Sequence, residues 1–133
     1  IRVGFIGVGN RGDQLLDAFA RQPDVQIAAI CDVYDPYAQR DGGAIHPRYK
    51  AMGRVPRMRT AVPAGVPRVG DFRRVLELKD VDAVCIATPD HWHAPAALLA
   101  LDAGKHVYVE KPCSHNIREG RALLDAARRH LLG

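Results

Sequence analysis

Long apolar runs, aromatic residues and paired cysteines are all scarce in this 133-residue sequence. The longest candidate apolar run, residues 94–103, is about half of the ~20 residues that a transmembrane helix needs, which predicts no membrane partner. Aromatic residues make up only 6% of the chain, so we expect a mainly aliphatic core. Cys31, Cys85 and Cys113 show no CxxC spacing and are odd in number, which favours free thiols over disulfides or zinc ligands.

The chain has the composition and length of one globular domain, with 47% hydrophobic and 26% charged residues. Its formal net charge is +4, which is compatible with nucleic acid or with a small anionic ligand. The cations concentrate in the middle of the chain: Arg48, Lys50, Arg54, Arg57, Arg59, Arg68, Arg73 and Arg74. Few aromatic residues accompany them, so we interpret this region as a solvated loop and predict no nucleic-acid partner.

Short apolar runs alternate with amphipathic stretches along most of the sequence. The runs are continuous rather than alternating, which is typical of parallel strands covered on both faces. Strands are predicted at residues 2–6, 25–31, 66–69, 81–87 and 106–109, and helices at 12–22, 36–40, 71–78, 93–103 and 116–131. This order predicts a three-layer αβα fold with right-handed crossovers.

The Arg/Pro-rich middle of the chain and the last predicted helix allow more specific predictions. Residues 46–68, the Arg/Pro-rich segment, contain four prolines and are predicted to be loop apart from the weak strand at 66–69. The last helix is predicted to begin after the N-cap Asn116, with Glu119 completing a variant of the capping box. Its buried stripe is expected to consist of Ile117, Gly120, Leu124, Ala127 and Leu131.

Residues 7–12 (GVGNRG) have the spacing GxGxxG and stand between a predicted strand and a predicted helix. In this motif the first glycine, Gly7, allows a tight turn, and Gly9 lets the backbone approach a pyrophosphate. Gly12 lets the helix and strand pack closely, and the N–H groups that begin the helix face the phosphates. The motif predicts a dinucleotide site in a Rossmann-type, doubly wound parallel sheet.

Asp32 lies twenty residues after Gly12, at the end of the second predicted strand. An acidic residue at this position binds the adenine-ribose hydroxyls and repels a 2′-phosphate, which favours NAD over NADP. Arg40 or another arginine of the middle region could still accommodate NADP. A purely local role for Asp32, in a loop or cap, is the alternative.

Polar residues also follow the fourth and fifth predicted strands, in the loops that line the crevice of such a sheet. His91 and His93 have the spacing of a metal pair but lack an evident third ligand, and Trp92 is interpreted as a packing residue. Lys111, in the sequence Glu-Lys-Pro at 110–112, is either a group that hydrogen-bonds a substrate hydroxyl or half of a surface ion pair. The local sequence supports both readings of Lys111 equally.

Several of these segments together resemble the N-terminal domain of the Gfo/Idh/MocA oxidoreductases. They are RVGFIGVGNRG at 2–12, CD at 31–32, DVDAVCIATPDHWH at 80–93 and AGKHVYVEKP at 103–112. The resemblance implies an NAD(P) site made of Gly7, Gly9, Asn10, Arg11, Gly12, Asp32, Thr88, Pro89, His91, His93 and Glu110. No metal site is predicted, because His91 and His93 lack an evident third ligand. It also implies that Lys111 is the active-site lysine, which assists proton transfer while a hydride passes between the nicotinamide and a sugar or polyol.

In this family the remaining acid and base groups belong to a second, sheet-bearing domain. We expect that domain, and the sixth strand that precedes it, to lie outside this chain, so that residues 1–133 are a dinucleotide-binding domain with an incomplete sheet edge. The complete protein is expected to be a cytoplasmic homo-oligomer. Two alternatives stay open: an NAD-dependent glycosidase, a class that tends to lack the lysine matching Lys111, and a non-catalytic dinucleotide-binding module.

Overall fold

Five parallel strands form one sheet, and their order determines where a ligand crevice is expected. The computed structural model describes residues 1–132 and the side chains of residues 1–130. The strands are β1 Arg2–Ile6, β2 Gln26–Cys31, β3 Arg68–Val69, β4 Ala83–Ile86 and β5 His106–Val109. They lie in the order β3-β2-β1-β4-β5 with every pair parallel. The order reverses between β1 and β4, so the crevice of this doubly wound sheet lies at the carboxyl ends of those strands.

Helices cover both faces of the sheet. In the described residues these helices are α1 Asn10–Ala20, α2 Asp35–Ala38, α3 Pro47–Ala51, α4 Phe72–Leu76, α5 His93–Asp102 and α6 Ile117–Leu132. Helix α1 packs on one face, where Leu16 joins a buried cluster with Phe5 of β1. Helices α4 and α5 pack on the other face, where Val75 and Ala97 share a cluster with Ile86. The predicted three-layer αβα fold is confirmed.

Several helix bounds differ from the predicted ones by one or two residues, and one helix forms where none is predicted. Helix α1 begins at Asn10 rather than at Gly12, so the last glycine of the motif lies within its first turn. Helix α3 stands where the sequence predicts loop. Pro47 occupies its first position, where proline is favoured because its missing N–H has no helical partner. His46 caps this helix by accepting the Arg48 N–H at Nδ1 over 3.1 Å.

The predicted buried stripe of α6 is wrong. Ile117 is 80% exposed and Leu124 is 51% exposed, whereas Ala126 is buried and Leu123 packs against the cluster that holds α5. Leu123 and Leu124 are adjacent in sequence, so the helical periodicity is compatible with an apolar stripe through either residue. In the structure, the stripe through Leu123 packs against α5. The predicted cap is confirmed, because Asn116 Oδ1 accepts the Glu119 N–H over 2.9 Å. Leu131 lies outside the described side chains.

The cysteines are free, as predicted. Cys31 and Cys85 are buried in β2 and β4, and burial raises the pKa of each thiol to about 12. Cys113 is exposed. No helix in the part of the chain that the structure describes is both long enough and apolar enough to cross a bilayer.

A buried ion pair fastens the polypeptide that follows α2 to the first turns of α1. Arg40 donates from Nη2 to Asp13 Oδ1 over 2.8 Å, and both side chains are about 95% buried. The second carboxylate oxygen of Asp13 accepts the Met58 N–H over 3.0 Å. Asp13 therefore holds two distant stretches of chain against the helix that carries the glycine motif.

We predict that Asp13→Asn lowers the free energy of unfolding by about 3 kcal/mol, because it leaves the buried Arg40 guanidinium without a counter-charge. Urea denaturation followed by circular dichroism measures the change. Glu77→Gln is the matched control, since Glu77 pairs with Arg74 at an exposed position and its loss is expected to cost less than ~0.5 kcal/mol. Equal effects of the two variants would contradict the role assigned to Asp13.

Candidate functional site

Two adjoining cavities open at the carboxyl ends of the strands, one on each side of the switch point. The β2-side cavity has a volume of about 700 Å³ and is lined by Gly7, Gly9 and Asp32 among others. The β5-side cavity has a volume of about 720 Å³ and is lined by Arg11, Glu110 and Lys111 among others. Ala87 and Thr88, directly after β4, line both. The two cavities therefore adjoin at Ala87 and Thr88, and together they form one crevice.

The three motif glycines play different structural parts. Gly7 has a φ of +81°, and a Cβ there would stand 2.8 Å from the Ala87 carbonyl carbon. A Cβ at Gly12 would stand 1.8 Å from the Gly7 carbonyl oxygen, so α1 reaches the end of β1 only because this residue is glycine. A Cβ at Gly9 would meet only the Tyr37 ring, at 3.3 Å. Gly7 and Gly12 are thus required by the fold, whereas Gly9 keeps the cavity wall open.

The N-terminus of α1 points into this crevice without a side-chain cap. Gly9 occupies the N-cap position, and its carbonyl accepts the Asp13 N–H over 2.7 Å. The first-turn N–H groups of a helix lack intrahelical partners and carry the positive end of its dipole. An anion placed over Gly9 would receive those donors.

Asp32 forms the floor of the β2-side cavity. Its Oδ2 accepts the Val8 N–H and its Oδ1 accepts the Tyr34 N–H, both over 2.9 Å. Burial raises the pKa of this carboxyl above its ordinary value, and the two backbone donors oppose that shift. A carboxylate has about four lone-pair sites, so Asp32 can accept two further hydrogen bonds.

Arg11 and Glu110 tie the glycine motif to the end of β5. The Arg11 guanidinium donates from Nε over 2.9 Å and from Nη2 over 2.7 Å, both to Glu110 Oε1. Glu110 is only 7% exposed, and these hydrogen bonds hold the pKa of its carboxyl below its ordinary value. The other carboxylate oxygen accepts the Lys111 N–H over 3.2 Å. The Lys111 side chain is exposed at the edge of the β5-side cavity, and the Lys111–Pro112 peptide bond is cis.

His93 joins the loops that follow β4 and β5. Its ring is buried, with Nε2 at 2.8 Å from the Thr88 carbonyl oxygen and Nδ1 at 2.7 Å from the Pro112 carbonyl oxygen. Both ring nitrogens are thus engaged by the protein, which leaves neither to complete a metal site with His91. Across the described residues, no group of three or more His, Cys, Asp or Glu side chains is arranged to hold a metal.

The other residues implied by the resemblance lie at the rim. Pro89 and the exposed His91 line the β2-side cavity. The Asn10 side chain faces the Arg/Pro-rich segment, where its Nδ2 donates to the Gly53 carbonyl over 2.9 Å. Trp92, predicted to be a packing residue, is 48% exposed and has its edge against Phe72 in the same cavity.

Several residues of the β2-side cavity are not predicted from the sequence. Tyr37, Tyr49 and Arg54 reach it from α2 and from the Arg/Pro-rich segment. Phe72 and Arg73 reach it from the start of α4. Motif spacing gives no signal for these residues, because they arrive through long-range folding of a stretch without regular periodicity. The concentration of cations near the cavity was visible in the sequence.

Residues 1–132 match the family described as oxidoreductases with an NAD-binding Rossmann fold. The chain belongs to the Gfo/Idh/MocA oxidoreductase family. The fold and the NAD-binding character expected from the resemblance are therefore confirmed for this domain.

Individual relatives of this Gfo/Idh/MocA domain include both reductases and glycosidases. A glycosyl hydrolase family 109 protein of Saccharopolyspora erythraea is 38% identical over 99% of this chain and 28% of its own length. An α-N-acetylgalactosaminidase of Shewanella oneidensis is 34% identical over 97% of this chain and 26% of its own. The 3-ketoreductase KijD10 of Actinomadura kijaniata, solved as a variant with TDP-benzene and NADP, superposes with a TM-score of 0.73. KijD10 is 28% identical to this chain, and the match covers 98% of this chain and 36% of the KijD10 chain. The chain thus spans little more than a quarter of the length of these curated relatives.

The Arg11–Glu110 pair gives a testable pH dependence. Because the folded-state pKa of Glu110 is depressed, the pair stabilises the fold fully above the ordinary glutamate pKa of 4.5, and this is lost as pH falls through the depressed value. We predict that Arg11→Gln raises the pKa of Glu110, measured from its carboxyl ¹³C shift. Arg118→Gln, at an exposed position, is the control. An unchanged Glu110 titration in Arg11→Gln would show that the pair does not set this pKa.

Proposed function

We propose that this domain is the cofactor half of an enzyme that transfers a hydride between NAD and a sugar or polyol. One observation carries the proposal: the uncapped start of α1 and Asp32 face one cavity, and Lys111 lines the adjoining one. This arrangement matches the two ends of a dinucleotide, an adenosine end on the β2 side and a nicotinamide end on the β5 side.

The crevice fits an NAD molecule in several independent ways. A pyrophosphate over Gly9 would meet the N–H groups that begin α1, and Gly9 has no side chain to keep it away from them. The adenine-ribose hydroxyls would donate to the free lone pairs of Asp32. Thr88 Oγ1 is buried and has no hydrogen-bond partner among the described residues, so a cofactor in the crevice would satisfy it.

In this proposal the bound nicotinamide supplies the hydride acceptor or donor. Lys111 Nζ would hold the reacting substrate hydroxyl and, in the oxidative direction, assist the transfer of its proton. Arg11 and Glu110 position the lysine, because Glu110 Oε2 accepts the Lys111 N–H while Oε1 is held by Arg11. The remaining acid and base groups would come from a second domain outside this chain.

We predict that Asp32→Asn weakens NAD binding about 10- to 100-fold and narrows the preference for NAD over NADP. The substitution removes a charged acceptor for ribose, and it also removes the charge that repels a 2′-phosphate. Calorimetric titration of each cofactor into each variant measures both effects. Asp35→Asn, an exposed neighbour at the start of α2, is the control. An unchanged ratio of NAD to NADP affinity in Asp32→Asn would leave Asp32 with a structural role alone.

A glycosidase that uses the same domain is the second candidate, and the glycosyl hydrolase names of the curated relatives favour it. Such an enzyme would keep NAD bound, oxidise one sugar carbon, eliminate the leaving group of the glycoside, add water in its place and return the hydride, so no net NADH would form. Lys111 supports ordinary redox chemistry instead, because the family's glycosidases tend to lack a lysine at this position.

A comparison of two reactions separates these candidates in the full-length protein. We predict NADH formation from NAD and a sugar or polyol, with Lys111→Met lowering kcat at least 100-fold while the Kd for NAD changes little. Lys79→Met, at an exposed position away from both cavities, is the control. Release of p-nitrophenol from p-nitrophenyl α-N-acetylgalactosaminide without net NADH would instead establish the glycosidase.

Three expectations about the whole protein stay predictions. They are its cytoplasmic location, its assembly into a homo-oligomer and the boundary of the dinucleotide-binding domain at residue 133. Size-exclusion chromatography with light scattering on the full-length protein tests the second.

A further inference from the structure

The Arg/Pro-rich segment is held firmly along one side of the crevice. The Asn10 side chain donates to the Gly53 carbonyl over 2.9 Å, and the Tyr37 hydroxyl donates to the Arg54 carbonyl over 2.8 Å. Met58 has a φ of +49°, a left-handed conformation that non-glycine residues rarely adopt, and its N–H is held by the buried Asp13. The segment is therefore anchored both to the glycine motif and to α1.

These anchors bring Arg54 to the β2-side cavity. Gly9 and Tyr37 line the same cavity, and the Tyr37 ring lies 3.3 Å from the position of a Cβ on Gly9. Tyr49 supports this arrangement from α3, because its ring and that of Tyr37 both pack edge-on against Tyr34. Arg54 thus lines the same cavity as Asp32 and Gly9 of the glycine motif.

The charges around this position favour an anion. Residues 46–68 contain six Lys or Arg residues and no Asp or Glu. Arg73 also lines the cavity, but its guanidinium donates to both carboxylate oxygens of Asp71, at 2.6 to 3.1 Å. Arg54 forms no ion pair with any carboxylate among the described residues, so its charge is available to a ligand.

We propose that Arg54 is a cofactor-binding residue that contacts a phosphate group of the dinucleotide from the Arg/Pro-rich segment. The inference rests on the proposed dinucleotide site and extends it, because it gives this segment a function in recognition. An arginine on the segment would add a charged side-chain contact to the backbone N–H groups that the start of α1 offers to a phosphate. The phosphate is either the pyrophosphate or, in NADP, the 2′-phosphate.

The test uses the single tryptophan of the chain as a reporter. Trp92 lines the same cavity, so its fluorescence should change when NAD, NADP or ADP binds. Each ligand is titrated into the wild type, Arg54→Gln and Arg57→Gln, with calorimetry as the second readout. Arg57→Gln is the matched control, because Arg57 is exposed on the same segment and does not line the cavity. Urea denaturation of each variant checks that the fold is retained.

We expect Arg54→Gln to weaken binding about tenfold and to reduce its salt dependence, with Arg57→Gln near the wild type. If Arg54→Gln lowers the affinity for NAD, NADP and ADP alike, Arg54 contacts the pyrophosphate. If it lowers the affinity for NADP alone, Arg54 contacts the 2′-phosphate. If the wild type binds and Arg54→Gln has the same affinity, the role of Arg54 is overturned. The same holds if Arg57→Gln lowers the affinity as much as Arg54→Gln does. Either result leaves the proposed function standing. If the wild type binds none of the three ligands, the proposed dinucleotide site itself is wrong and the role of Arg54 falls with it.

Discussion

The close contact between Gly12 and the carbonyl of Gly7 is the constraint on which the rest of the crevice depends. A Cβ at residue 12 would lie 1.8 Å from that carbonyl oxygen, so any larger residue would push α1 away from β1. With glycine there, the first turn of α1 starts at the switch point of the sheet, and its N–H groups open toward the crevice. The close contact between the backbones of Gly12 and Gly7 therefore determines where the anion site lies and which N–H groups it offers.

Charged side chains then fix the elements around that start of the helix. Asp13 holds Arg40 and the Met58 N–H on one side, Glu110 holds Arg11 on the other, and Asp32 accepts two backbone N–H groups at the floor. Each carboxylate joins the glycine motif or α1 to a different part of the chain. Polar contacts therefore hold the walls of the crevice in place over a mainly aliphatic core. Such contacts can fix the geometry of a site that is open to solvent.

The sequence predicts most of the strands and helices well because the apolar runs, turns and caps that specify them are local. Strand β1 and strand β5 have the predicted bounds, and the cap at Asn116 and the glycine motif need only neighbouring residues. The errors lie where tertiary contacts decide. Leu123 rather than Leu124 faces α5, and Pro47 starts a helix where the sequence predicts loop. Residues such as Arg54 reach the site only through contacts that are distant in sequence, for which no motif exists.

The central claim is that a dinucleotide binds across the switch point with its pyrophosphate at the start of α1. An NAD titration of the chain followed by amide NMR tests it most directly. The account predicts large shifts of the N–H signals at residues 7–12, with further shifts at Asp32 and Thr88 and little change on the outer face of α6. Saturating NAD that leaves residues 7–12 unperturbed would contradict it.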